Sequence, residues 1–117
     1  AMDPEKDLER IVNEALFRKG ILLIPAFAVG RTQEVLYYLH KLMQENRIPD
    51  VPVYVDSPMA ISATFLYAKY ENLQRLKLNS PDLVSELETN MLVFVKTADH
   101  SKSLNKLKGN AIIIASS

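Results

Sequence analysis

The chain has 117 residues, 48% hydrophobic and 24% charged, which is enough for one globular domain with a real core and too apolar for a disordered segment. Lys and Arg balance Asp and Glu at 14 each, so net charge points to no nucleic-acid or membrane partner, and any nucleic-acid role must use local charge. Cysteine is absent, which excludes disulfide scaffolds, thiol catalysis and thiolate metal sites. No apolar run is long enough to span a membrane and no signal-peptide pattern is present, so the chain reads as soluble, with no membrane partner and a cytoplasmic location expected.

In chain order, residues 1–5 read as an expression-vector remnant and residues 6–117 as the domain proper. Leu8, Ile11, Val12, Ala15 and Leu16 recur at helical spacing, and Gly20 should end that helix. Ile21–Ile24 is a short apolar run without alternation, which predicts a strand buried on both faces, continuing to Phe27 with Pro25 near its carboxyl end. Gly30 permits a sharp turn into a helix over Arg31–Arg47, with Val35, Leu36, Leu39, Leu42 and Met43 as its core stripe. His40 reads as a surface or boundary residue of that helix.

Ile48–Pro52 is a turn-rich connector and Val53–Val55 a second buried strand. Asp56, Ser57 and Pro58 follow as strand end, N-cap and first helical residue, and Met59, Ala63, Leu66, Tyr67 and Tyr70 are expected to form the buried stripe of the helix. Leu73 and Leu76 suggest that it continues. Ser80–Pro81 should restart a short helix with Leu83, Val84 and Leu87 inward and Asn90 as its stop. Met91–Val95 reads as a third strand, Thr97–Ser101 as a polar loop, Ser103–Leu107 as a short helix anchored by Leu104 and Leu107, and Ala111–Ala115 as the last strand after the turn Gly109–Asn110. Strands and helices alternate, which implies right-handed crossovers and an α/β three-layer sandwich: a mainly parallel sheet of about four strands with helices on both faces.

Sheets of this kind gather ligands beyond the carboxyl ends of their strands, where the first amides of the following helices favour an anion. Arg31, Ser57 and Ser116 all fall at such positions and are candidate substrate-binding residues, where a phosphate is one natural occupant. A plainer reading stands beside this one. Gly30 or Arg31 is a helix cap with Gln33 or Glu34 closing a capping box, and Ser57 is an N-cap. Glu34 lies off the core stripe, beside Tyr38 and Lys41, either solvated or turned toward something outside the chain.

Three segments carry a resemblance: Ile24–Glu34 (IPAFAVGRTQE), Val53–Ala60 (VYVDSPMA) and Ala111–Ser117 (AIIIASS). In this order they resemble β-CASP proteins, the nucleic-acid-processing branch of the metallo-β-lactamase superfamily that includes ribonuclease J and the endonuclease subunit of the polyadenylation machinery. The resemblance implies that Glu34 is the family's motif A acid, a catalytic-region residue that supports a histidine lying outside this chain. It also implies that the longer protein cleaves phosphodiester bonds with water activated by two zinc ions, RNA being the expected partner and DNA left open. The domain would then form one wall of the nucleic-acid cleft, packed against a metallo-β-lactamase domain, and would continue beyond Ser117.

Such a metal centre needs several His and Asp ligands, and this chain has only His40 and His100. The family's His-x-His-x-Asp-His motif has no counterpart here, and its motif B and C histidines would lie beyond Ser117. Asp99–His100 reads as capping and dipole chemistry at the start of a short helix. The chain alone is therefore expected to hold no metal or other cofactor and to hydrolyse nothing. The competing reading is a non-catalytic α/β module that binds a nucleotide, RNA or a protein, although no glycine-rich phosphate-loop pattern supports a nucleotide site. Oligomeric state has no sequence signal.

Overall fold

The computed structural model of the chain describes residues 3–28, 30–75 and 92–116. Helix α1 spans Pro4–Arg18, strand β1 Ile21–Pro25, α2 Arg31–Gln44, β2 Val53–Asp56, α3 Pro58–Arg75, β3 Leu92–Phe94, α4 Ala98–Ser103 with a 3-10 turn at Leu104–Lys106, and β4 Ala111–Ala115. The strands form one parallel sheet in the order β1-β4-β2-β3, so the α/β expectation holds. The readings for Ser80–Asn90, including Leu83, Val84 and Leu87, lie outside the described residues.

Register explains the layering. Leu22, Ile112, Val53 and Leu92 lie in one row across the sheet, and Ile24, Ile114, Val55 and Phe94 in the next row on the same face. Because side chains alternate along a strand, these two rows pack together against α1, α2 and α3 through Val12, Leu16, Leu36, Leu39, Leu42, Ala60 and Ile61. Ile21, Ile113 and Tyr54 point the other way, where Leu104 and Leu107 cover them. The crossovers from β1 to β2 and from β2 to β3 advance across the sheet, whereas the connection from β3 to β4 returns. With right-handed crossovers the returning segment must therefore lie on the opposite face.

Several expectations are corrected. β1 is an outer strand and is not buried on both faces: Leu23 is 69% exposed, and the fully enclosed strand is β4. β1 also ends at Pro25, not Phe27. In α3 only Ala63 of the expected stripe is buried. Met59 is 76% exposed and Leu66, Tyr67 and Tyr70 are also outside, while Ala60, Ile61 and Thr64 face inward. This helix is apolar nearly all round, so spacing offered two stripes and tertiary packing chose the one with small residues. His40 is buried, Ile11 is exposed, and Thr97–Ser101 is helical after Thr97 because the Thr97 hydroxyl accepts the His100 amide as an N-cap.

The capping residues do their expected work elsewhere. Gly20 has φ of +79° and follows α1, donating to the Ala15 and Leu16 carbonyls. A Cβ there would sit 3.0 Å from Asn110 Oδ1. At the start of α1 the Asp3 side chain accepts from the Glu5 and Lys6 amides. Glu5 then bridges Lys41 Nζ at 2.6 Å and Arg47 at 2.7 Å, and Arg47 also holds Glu9 at 2.7 Å, so charge pairs join α1 to α2 and the segment after it.

Lys41 and then Arg47 hold the Glu5 carboxyl below the usual value of 4.5. A carboxylate with a lowered folded-state pKa contributes stability that is complete above its unfolded value and is lost as pH falls through the folded one. Thermal unfolding followed from about pH 5 to about pH 3 should therefore show a smaller loss of midpoint for Glu5→Gln than for the unaltered chain. Identical acid profiles would remove Glu5 from the account of the α1–α2 contact.

Candidate functional site

All four strands end at one edge, and the segments following β1, β4 and β2 enclose a cleft there of about 370 Å³. Phe27 comes from the loop after β1, Thr32 and Gln33 from the first turn of α2, Ser57 and Met59 from the start of α3, and Ser116 from the end of β4. Among the described residues no charged side chain lines it. Its chemistry is that of hydroxyls, amides and apolar surface, suited to holding a ligand and not to transferring a proton.

The cleft is shaped by a buried polar relay. Gly30 enters α2 at φ of +95°, a region that strains any residue with a side chain. Its amide donates to Gln33 Oε1 at 2.7 Å, Gln33 Nε2 donates to Thr64 Oγ1 at 3.1 Å, and Thr64 Oγ1 donates to the Ala60 carbonyl at 2.7 Å. The Ala60 amide in turn donates to Ser57 Oγ at 3.2 Å. A second lock holds the loop after β1, where the Thr32 hydroxyl accepts from the Phe27 amide at 3.0 Å and donates to its carbonyl. These bonds tie the β1–α2 loop, α2 and α3 into one wall.

Of the residues singled out from sequence, Ser57 and Ser116 share the cleft. Ser57 is buried and is the N-cap of α3, as the plainer reading held. The capping-box reading also holds in part, with Gln33 and not Glu34 reaching back to Gly30. Arg31 and Glu34 do not line the cleft. Both are exposed on the first turn of α2, where the Arg31 guanidinium lies 5.8 Å from the centre of the Phe27 ring and the Glu34 amide donates to the Gly30 carbonyl. Lys41, two turns further along the helix, pairs with Glu5. Sequence reasoning missed Phe27, Thr32 and Met59 as cleft residues. Thr32 was within reach of it, since a Thr in a first helical turn is poised to bond the preceding loop.

At the rim, Asp56 Oδ2 accepts from Ser101 Oγ at 2.5 Å, joining β2 to α4, and the His100 ring meets Tyr54 edge-on at 6.3 Å. Among the described residues no three His, Cys, Asp or Glu side chains converge as metal donors. The donor set does not fit a two-zinc centre, and no reaction step is assigned to a metal held by these residues. Nor is any helix among them long and apolar enough to cross a membrane.

Residues 32–117 match the family model described as the Beta-Casp domain. The chain is 34% identical to Ribonuclease TTHA0252 of Thermus thermophilus over 119 residues, covering 96% of the chain and 26% of that protein. It is 32% identical to an RNase J-like protein of Methanocaldococcus jannaschii over 102 residues, 87% of the chain and 23% of the relative. It is also 46% identical to Transcription termination factor FttA of Methanosarcina mazei over 68 residues, 58% of the chain and 10% of the relative. The chain thus spans about a quarter or less of the length of these relatives.

Gln33→Leu removes the acceptor for the Gly30 amide and the donor to Thr64 while preserving bulk. It should cost about 1–3 kcal/mol of stability and raise the hydrogen-exchange rate of the Gly30 amide. Glu34→Gln, at an exposed neighbour, should change stability by less than about 0.5 kcal/mol. Equal effects of the two in denaturant unfolding would refute the relay.

Proposed function

Since the chain belongs to the Beta-Casp domain family, of RNA-processing type, we propose that it forms one wall of the RNA cleft of a longer metal-dependent hydrolase. In this reading residues 6–117 are most of that domain, which continues past Ser117. The two zinc ions and the residues that bind them belong to a metallo-β-lactamase domain packed against the carboxyl edge of the sheet. Zinc bound there would supply activated water, and this chain binding and positioning.

The observation that carries the reading is the placement of a mainly apolar cleft, with the hydroxyls of Ser57 and Ser116 in its lining, at the sheet edge where α2 and α3 begin. Helix starts favour phosphate oxygens, and no carboxylate among the described lining residues repels them. Glu34 sits on the same first turn but on the outside, exposed and directed away from the core. That orientation suits a positioning residue that hydrogen-bonds a histidine from another part of the protein, fixing the imidazole for its task. Arg31 adds positive charge beside the cleft mouth, and Ser57 and Ser116 offer hydroxyls within it. The isolated chain is inactive in this reading because it provides no site for the metals.

The test is RNA cleavage by the full-length protein. Glu34→Ala should lower kcat by about 10–100-fold, as expected for removing an outer partner of a catalytic histidine, with KM little changed. Arg31→Ala should chiefly raise KM. Wild-type kinetics for both variants would overturn the site assignment, and RNA cleavage by the 117-residue chain supplied with zinc would overturn the division of labour.

A further inference from the structure

We propose that the carboxyl edge carries two stacking platforms, Phe27 with Arg31 and Phe65 with Lys96, which seat separate bases of one unpaired nucleic-acid strand laid across the sheet. The proposal rests on the reading that this edge handles nucleic acid, and it specifies the form of the ligand.

The two platforms are built alike. Phe27 is 45% exposed and has the Arg31 guanidinium 5.8 Å from its ring centre. Phe65 is 41% exposed and has Lys96 Nζ 5.7 Å from its ring centre. Single exposed aromatics on a surface are ordinary. Two exposed phenyl rings, one in the loop after β1 and one on α3 against Phe94 of β3, each with a cation near it, offer what single strands use: base stacks on ring, and cation meets backbone charge.

Their placement follows from the topology. Phe27 lies just past the end of β1. Phe65 packs on Phe94 at 5.0 Å between ring centres, and Phe94 pairs with Val55, one residue before the end of β2. Lys96 lies two residues past the end of β3. β1 and β3 are the outermost of the four strands, three strand spacings or about 14 Å apart, and the two rings stand toward opposite sides of the sheet, Phe27 by β1 and Phe65 by β3. Phe27 itself lines the cleft with Ser57 and Ser116. A strand crossing this edge would stack on one ring, pass its backbone over the cleft, and stack again on the second. A duplex keeps its base faces covered and would meet only the cations.

Anisotropy of a labelled U-rich RNA of about a dozen nucleotides, titrated with the 117-residue chain, tests this. Phe27→Leu and Phe65→Leu keep exposed apolar bulk and remove the ring, and circular dichroism checks that both fold. Each should weaken single-strand binding by at least about fivefold, Phe27→Trp should retain it, and the same sequence as duplex and inorganic polyphosphate should compete poorly. Unchanged affinity in both Leu variants, equal competition by duplex or polyphosphate, or no binding by the unaltered chain would each overturn the platforms. Cleavage by the full-length protein is scored separately, so loss of activity on Glu34→Ala alongside normal binding by the Leu variants would sink the platforms and leave the function standing.

Discussion

Pairing of Ala111–Ala115 with β1 on one side and β2 on the other is the interaction from which the rest follows. The last strand in sequence enters the middle of the sheet, so its backbone groups are bonded on both flanks, and Ile112, Ile113 and Ile114 are enclosed from both faces. Burying aliphatic side chains of this size contributes roughly 1.5–3 kcal/mol each. The parallel sense of both ladders then leaves no freedom about the edges: all strand ends of one polarity, with the loops and helix starts that follow them, fall on one side. Thr32, Ser57 and Ser116, far apart in sequence, meet there for that reason.

The local chemistry completes what the ladder begins. A loop held in a conformation that only glycine adopts easily, at Gly30, is secured by Gln33, and the same side chain reaches Thr64 on the neighbouring helix. Buried polar groups that are fully bonded fix one arrangement, because any alternative leaves a donor or acceptor stranded in apolar surroundings. The cleft therefore has its shape before a ligand arrives. Among the described residues its lining bears no charged side chain, and Arg31 and Glu34 are exposed on the first turn of α2.

Much of this was legible from the residues. Alternating apolar runs and helical stripes imply the α/β layering, and the parallel sheet followed from that order. The Ser57–Pro58 helix start and the Gly30 turn rest on local rules of backbone and capping, and both stand. What failed were the inferences that needed neighbours. Ile21–Ile24 and Ile112–Ile114 look alike as strings, yet one strand is outermost and the other central, and no local pattern distinguishes them. The α3 stripe failed because Met59, Leu66, Tyr67 and Tyr70 are as apolar as Ala60 and Ile61, and only the close approach of α3 to the sheet favours the smaller set. Thr97–Ser101 read as a loop because its polar residues suit either state, and the Thr97 cap decided it. In the cleft, Phe27 and Met59 were invisible because exposed apolar residues carry no sequence mark of being exposed.

The central claim is that the carboxyl edge of the sheet, and no other surface, receives a nucleic-acid strand. Amide chemical-shift mapping of the 117-residue chain during titration with single-stranded RNA tests it most directly. The account predicts shifts concentrated at residues 26–34, 57–65, 96 and 116, with the opposite edge of the sheet and the outer face of α1 undisturbed. Shifts centred on α1 and the exposed side of β1, or none that saturate, would contradict it.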